Sequence, residues 1–198
     1  GSMIDELRRA DEQAVQIESC GKVFCKPLSV CDAVTFKAAH PACVVIAGGT
    51  DLGVQINKGM RDPDAILSLS AIPQLHELTI SSDRVVAGAM VTLAELERGI
   101  EKSNLELGRM LWRHGSPLIR NAGTLAGNIA NGSPIGDSMP ALYVLNGEVE
   151  LTGIAGARRV NINDFYTGYR KTCAADDELI TRIIFPLPLA GEDFRLYK

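Results

Sequence analysis

The rest of the chain is organised around Arg120–Asp137, which reads RNAGTLAGNIANGSPIGD. It holds four glycines, three asparagines, two hydroxyl residues and a terminal carboxylate. A core strand would carry bulky β-branched residues, and a surface loop would carry lysine and glutamate. Because glycine lacks a Cβ and tolerates φ > 0, a backbone this bare suits the close approach of a large ligand. A Gly-rich double turn between two sheet strands is the purely structural alternative.

A second bare stretch lies about 70 residues earlier. Cys43–Ala47 is an apolar run that predicts a buried strand. It leads into Gly48-Gly49, which can curl the backbone N–H groups into a nest for an anion such as phosphate. Asp51 is predicted either to cap a helix over Leu52–Lys58 or to accept a hydrogen bond from a sugar hydroxyl. The GxGxxG and Walker patterns are absent from this turn, so the turn alone selects no nucleotide-binding class.

The composition narrows the function classes. The chain has 198 residues, a formal net charge of -4 and a pI near 5.4, which argues against nucleic acid or an anionic membrane as a partner. No apolar run approaches the roughly 18 residues of a membrane span. Five irregularly spaced cysteines indicate neither a disulfide framework, nor an iron–sulfur site, nor a zinc site, so we expect a reducing cytoplasm and no metal ligands.

The remaining chain alternates helices with strands early and is rich in strands later, which predicts an α+β fold in two small lobes. Capping boxes begin two of the predicted helices, at Ser29 and Thr92. The apolar residues of the predicted helix Asn104–Arg113 are assigned to the core: Leu105, Leu107, Met110, Leu111 and Trp112. Further helices are predicted over Ile4–Val15, Ser138–Asn146 and Asp164–Tyr169. Strands are predicted over Ala65–Leu69, Leu78–Ile80, Arg84–Met90, Glu148–Thr152, Arg158–Ile162 and Leu179–Phe185.

Taken together, the two motifs resemble the FAD-binding domain of the molybdenum hydroxylases. The sequence VVIAGGTDL at 44–52 and the pattern RNxGTxxGNIANxSPxxD at 120–137 carry the resemblance. Within the family, the form GNIANGSPIGD most resembles the small subunit of bacterial xanthine dehydrogenases. The resemblance implies an α+β fold of two FAD-binding subdomains that clasp an extended FAD.

The resemblance also implies the residues that bind the cofactor. The first motif would wrap the pyrophosphate, and the second would line the other side of the dinucleotide. Asp137 would accept hydrogen bonds from cofactor hydroxyls, and His114 stands where the family commonly has an aromatic ring against the flavin. The implied contacts are Val45, Ile46, Ala47, Gly48, Gly49, Thr50, Asp51, Leu52, His114, Thr124, Leu125, Ala126, Gly127, Asn128, Asp137, Ile180 and Lys198.

The resemblance divides the chain into a linker after an iron–sulfur domain (1–21), a first FAD subdomain (22–75) and a second one (76–198). The family's third subdomain would follow Lys198 and is expected to be absent. No residue is assigned as catalytic, because the motifs contain no acid–base pair.

The function implied is electron transfer in a xanthine dehydrogenase-like enzyme. Electrons would pass from iron–sulfur clusters to FAD and on to NAD, while the molybdenum cofactor would lie on a partner subunit. Two alternatives stay open: the flavoprotein subunit of a carbon monoxide dehydrogenase-type enzyme, and a subunit-docking scaffold without flavin.

Overall fold

The first sheet is built from the N-terminal third of the chain. The structure is a computed structural model that describes residues 13–188, 192, 194, 195 and 197. A hairpin of β1 (Val15–Ser19) and β2 (Lys22–Lys26) turns at Cys20 and Gly21, both with positive φ, as a tight two-residue hairpin requires. The strands β3 (Val44–Ile46) and β4 (Ala65–Ser68) complete the order β1-β2-β4-β3, in which β2, β4 and β3 run parallel.

Two helices connect the parallel strands. The helix α1 (Val30–Ala39) begins at Ser29, whose hydroxyl accepts a hydrogen bond from the amide of Asp32, as the capping signal predicts. The helix α2 (Leu52–Asn57) follows β3 directly after the first glycine pair. The chain therefore turns sharply from a buried strand into a helix at the point where the first motif lies.

The second sheet is antiparallel and comes from the rest of the chain. Its order is β5-β6-β11-β7-β8, so the last strand lies in its centre. A 3-10 helix (Pro73–His76) precedes it, and a two-stranded hairpin of β9 and β10 lies beside it. The strands are β5 (Leu78–Ile80), β6 (Arg84–Gly88), β7 (Glu148–Gly153), β8 (Gly156–Asn161), β9 (Tyr166–Gly168), β10 (Lys171–Thr172) and β11 (Leu179–Pro186).

A group of short helices lies between the strands β6 and β7 in sequence. Side-chain caps start four of them: Thr92 in a complete capping box with Glu95, then Asn104, Ser116 and Thr124. The helices are α3 (Leu93–Ile100), α4 (Leu105–Trp112), α5 (Pro117–Ala122), α6 (Leu125–Asn131) and α7 (Ser138–Val144), with α8 (Ile162–Phe165) after β8. Among the described residues, none of the helices has the length and apolar character that a membrane crossing needs.

The core joins both sheets. One cluster of buried residues runs from Leu67 on β4 through Leu96 on α3 and Ile129 on α6 to Leu151 on β7. The two lobes predicted from the sequence therefore share a continuous apolar interior, while each keeps its own sheet. The assignment of residues 22–75 and 76–198 to separate subdomains stays a prediction.

One structural alternative and two predictions from the sequence were wrong. The second glycine run is helical over α6, so it is not a double turn between sheet strands. Trp112 is 62% exposed, because it neighbours the buried Leu111 and points about 100° away from it around α4. The helix predicted over Asp164–Tyr169 is instead α8 followed by β9.

At the N-terminal end, Val15 begins a strand, so the helix predicted over Ile4–Val15 does not extend to this residue; residues 1–12 lie outside the described part. The residues 15–19 of the expected linker pair with β2 and so belong to the first sheet. In α4, Leu107 and Leu111 are buried, Met110 is partly buried, and the side chain of Leu105 is outside the described part.

Candidate cofactor site

A cavity of about 610 Å³ opens where the two glycine motifs meet. Its size is in the range of sites that enclose cofactors and other small molecules. It contains most of the residues that the sequence assigns to the cofactor: Val45, Ile46, Ala47, Gly48, Gly49, Thr50, Asp51 and Leu52 from the first motif, Thr124, Ala126, Gly127 and Asn128 from the second, together with His114 and Ile180. Residues separated by more than 130 positions in sequence are thus brought to one place.

The turn between β3 and α2 forms the first wall. Gly49 has φ +68, and a Cβ at this position would contact only Ile46 Cγ2, at 3.8 Å. In the part of the chain that the structure describes, the amides of Gly48, Gly49 and Thr50 donate no hydrogen bond to the protein. Several N–H groups at a strand-to-helix turn with a left-handed residue make a nest that is suited to an anion.

Asp51 follows this nest. It occupies the cap position of α2, but its side chain caps no amide. Its Oδ2 instead accepts a hydrogen bond from Gln55 Nε2 at 2.5 Å. The capping alternative for the Asp51 side chain is therefore wrong, and the alternative of a hydroxyl partner stays a prediction.

The two motifs contact each other through their backbones. A Cβ on Gly48 would lie 1.8 Å from the carbonyl oxygen of Ala122, so no other residue fits here without moving the backbone. A Cβ on Gly123 would lie 3.3 Å from Thr50 Oγ1. Gly48 therefore has a structural purpose beside the one assigned to it: it lets the β3–α2 turn pack directly on the end of α5.

The helix α6 forms the second wall. Thr124 Oγ1 accepts a hydrogen bond from the amide of Gly127 at 2.9 Å and so starts the helix. Asn128 Oδ1 accepts one from Ser138 Oγ at 2.6 Å, which ties α6 to α7. At the other end, Tyr166 Oη donates to the carbonyl oxygen of Ile129 at 2.8 Å. Burial raises the pKa of Tyr166, so its phenol stays a donor well above neutral pH.

His114 closes a third side of the cavity. It is 9% exposed, and its Nδ1 lies 3.9 Å from Asp137 Oδ2. Asp137 does not itself line the cavity, although it lies beside a residue that does. Leu125 also differs from the expectation, because its side chain packs in the core with 2% exposure. Lys198 lies outside the described residues.

The cavity includes charged residues that the sequence did not single out. Arg61 follows α2, Arg170 lies at the turn of the β9–β10 hairpin with φ +53, and Glu178 precedes β11. Glu178 accepts two hydrogen bonds from Arg158, at 2.6 Å and 2.8 Å, which lower its pKa. No pattern in the sequence marks these residues, because the pairing of distant loops brings them to the cavity.

The residues present fit an FAD. The first wall offers unused amide donors to a diphosphate without a lysine, and the left-handed glycine leaves room at its Cβ for close approach. The second wall offers a helix without charged side chains, against which a planar apolar ring can lie. A cavity of this size with two such walls suits an extended dinucleotide.

Comparison with known proteins agrees with this fit. Residues 15–188 match the model of the FAD binding domain in molybdopterin dehydrogenase. The nicotinate dehydrogenase FAD-subunit of Eubacterium barkeri is 31% identical over 168 residues, which are 82% of this chain and 56% of that protein. The xanthine dehydrogenase/oxidase of Gallus gallus is 28% identical over 205 residues, or 96% of this chain and 15% of that protein.

A solved structure shows the same fold. The carbon monoxide dehydrogenase from Hydrogenophaga pseudoflava superimposes with a TM-score of 0.79 at 27% identity, over 85% of this chain and 60% of that chain. The chain thus spans little more than half the length of the relatives that consist of a flavin subunit alone. With the family model covering nearly all of the described residues, the chain belongs to the FAD-binding domains of the molybdopterin dehydrogenases, the oxidoreductases also called molybdenum hydroxylases.

Proposed function

We propose that this domain holds FAD in the cavity between the two glycine motifs and works as the electron-transfer module of a xanthine dehydrogenase-like enzyme. The observation that carries the proposal is the convergence of the β3–α2 turn, with its unused amides, and the uncharged helix α6 on one cavity. The diphosphate would lie at Gly49 and Thr50, and the flavin ring would lie toward His114 and Ile180.

In this proposal the described residues bind and orient the cofactor, and none of them is assigned a catalytic role. Backbone donors at the first turn would hold the diphosphate, and the shape of the cavity would set the position of the ring. The packed contact of Gly48 on Ala122 fixes the distance between the two walls. A bound FAD would supply the redox chemistry of electron transfer.

The electron donor and acceptor are further parts of the proposal. Electrons would come from iron–sulfur clusters on a neighbouring domain and go to NAD, with the molybdenum cofactor on a partner subunit in the cytoplasm. The names of the relatives support a dehydrogenase of this kind, but these names differ in substrate: nicotinate, xanthine and carbon monoxide. A carbon monoxide dehydrogenase-type flavoprotein is therefore the second candidate.

Titration of the purified chain with FAD tests the cofactor assignment. We expect the flavin fluorescence to be quenched on binding, ADP to compete with FAD, and riboflavin to bind about 100-fold more weakly because it lacks the diphosphate. Riboflavin that binds as tightly as FAD would place the recognition on the ring instead of the turn. A chain that binds no flavin at all would support the scaffold alternative.

An activity assay tests whether substrate oxidation takes place outside this domain. Within residues 13–188, no group of three or more histidine, cysteine, aspartate or glutamate side chains could hold a metal ion. We therefore expect the chain loaded with FAD to leave xanthine unchanged, with NAD as acceptor. Xanthine turnover by preparations shown to be free of partner subunits would contradict the proposal.

The assignment of NAD can be tested in the same preparation by measuring electron transfer from NADH to ferricyanide. If NAD is the partner, NADH should reduce the bound FAD directly. Reduction of FAD by dithionite but never by NADH would speak for another acceptor.

A further inference from the structure

Arg120 opens the second glycine motif, but it does not line the cavity. It is nevertheless 9% exposed, which is rare for an arginine. A buried guanidinium is costly unless it is paired and hydrogen-bonded, so its partners indicate what it does.

Its partners come from two other elements. Arg120 Nε lies 3.3 Å from Glu97 Oε2 on α3, and the side chain of Glu97 is itself only 21% exposed. Arg120 Nη1 donates to the carbonyl oxygen of Gly115 at 3.1 Å and of His114 at 3.4 Å. The planar fork of an arginine can make these contacts at once, whereas a lysine carries a single point charge.

The two carbonyl groups belong to the segment that carries His114 into the cavity. They lie on the peptide units on either side of Cα of Gly115, which has φ +58. Glycine leaves such a backbone free to rotate unless other contacts fix it. A donor shared by both carbonyl oxygens fixes both peptide planes, and with them the direction in which the His114 ring points.

We propose that Arg120 is a positioning residue for the cofactor: it holds His114 against the ligand through the carbonyl groups of His114 and Gly115, and Glu97 holds Arg120 in turn. The proposal rests on the proposed function, because it takes the ligand that His114 contacts to be FAD. A purely structural ion pair would affect only the stability of the chain, whereas this proposal also predicts an effect on the binding of FAD in the cavity.

The variants Arg120→Gln and Arg120→Lys test the proposal in FAD titrations of the full chain. Arg120→Gln should raise the Kd for FAD by about tenfold, within the range for residues that act one contact away from a ligand. Arg120→Lys keeps the positive charge beside Glu97, so it should retain most of the thermal stability that Arg120→Gln loses. It should not restore FAD affinity, because one ammonium nitrogen cannot occupy the positions of both Nε, which faces Glu97, and Nη1, which holds the two carbonyl groups.

A double-variant comparison shows whether Arg120 acts through His114. In a His114→Ala background, Arg120→Lys should change the Kd by no more than about twofold, because the residue through which Arg120 acts is already gone. If Arg120 is only structural, its effect will be as large in that background as in the parent, which would overturn the proposal. Arg159→Gln is the control: Arg159 is half-exposed but also pairs with a buried carboxylate, Glu150 at 3.2 Å, and lies on the edge strand β8 outside the cavity lining, so this variant should leave the Kd for FAD unchanged.

A readout that needs no flavin keeps the two proposals apart. The chain has three histidines, so the imidazole signals of His40, His76 and His114 can be assigned by NMR. Arg120→Lys should shift the His114 signals and leave those of His40 and His76 in place. Unshifted His114 signals would overturn the positioning role, whereas a parent chain that binds no FAD would overturn the proposed function alone.

Discussion

At single residues, the two glycines of the first motif and Gly53, which follows it, are under different structural constraints. Gly48 is required by the protein, because Ala122 occupies the place of a side chain. Gly49 is required by its backbone conformation, and the space beside it is open. Gly53, one turn further into α2, has neither constraint, since a Cβ there would meet nothing within 4 Å.

Because of these differences, Gly49 is the residue at which to test where the diphosphate of FAD lies. Gly49→Val puts a branched side chain beside the unused amides at φ +68, so we expect at least a tenfold loss of FAD affinity. The left-handed backbone should also lower the unfolding free energy of this variant by about 1–2 kcal/mol. FAD titration and urea unfolding measure the two effects. Gly49→Asn separates them, because asparagine tolerates this conformation better and still adds a side chain.

Gly53→Ala is the control at the same helix. It should leave FAD affinity unchanged and raise the unfolding free energy by up to about 1 kcal/mol, the helix preference of alanine over glycine. A Gly49→Val chain that binds FAD as tightly as the parent would mean that the diphosphate lies elsewhere.

At the scale of elements, α6 depends on contacts made by its neighbours. Its sequence LAGNIAN contains glycine and asparagine, which rank low in helix preference. It is held by the Thr124 cap at its start, by the buried Leu125 and Ile129 at a spacing of four, and by Tyr166 at its end. The wall of the cavity is therefore as stable as these contacts.

Tyr166→Phe tests this dependence. The change removes one of two donors to the carbonyl oxygen of Ile129, which also accepts a hydrogen bond from the amide of Gly132, and should cost about 1 kcal/mol in unfolding free energy. Tyr143→Phe removes a hydroxyl from the neighbouring ring, at 6.5 Å between centroids, and should change the unfolding free energy by less than about 0.5 kcal/mol. Equal values for both variants would contradict the dependence.

The same element explains which parts of the fold could be predicted from the sequence. Thr92 and Glu95 predict a helix because both halves of the capping box are local, and the structure contains both. The helix α6 was missed because its support comes from Tyr166, 37 positions after Ile129. Likewise, the glycine motifs are local, so they predict that Gly49 and Gly127 belong to a binding site, and both line the cavity. The contact of Gly48 on Ala122 could not be predicted, because it depends on how the two lobes pack.

Across the molecule, ion pairs between buried carboxylates and partly exposed arginines join the strands of the second sheet. Glu150 on β7 is 7% exposed and pairs with Arg159 on β8 and Arg182 on β11, at 3.2 Å and 2.9 Å. Glu178, beside the cavity, pairs with Arg158 on β8. The strands β7, β8 and β11 are thereby joined by charged side chains as well as by their backbone hydrogen bonds.

These pairs predict how stability depends on pH. Burial alone would raise the pKa of Glu150, but hydrogen bonds from Arg182 and Arg159 and their charges lower it below its usual value. The Arg158 hydrogen bond lowers the pKa of Glu178 as well. A carboxyl whose pKa is lower when folded binds more protons in the unfolded chain. Its stabilisation is therefore complete above the unfolded-state pKa, about 4.3, and is lost as the pH falls through the folded-state pKa.

Unfolding by urea at a series of pH values from 7 to 3 measures this acid loss, and Glu150→Gln supplies the comparison. The variant cannot titrate at this position, so it should be less stable than the parent at pH 7, because Arg159 and Arg182 lose their charged partner. The difference between the two chains should shrink as the pH falls, because protonation removes the same charge from the parent. Parallel pH curves for parent and variant would show that the acid loss arises at other carboxyl groups, such as Glu178, for which Glu178→Gln is the next comparison.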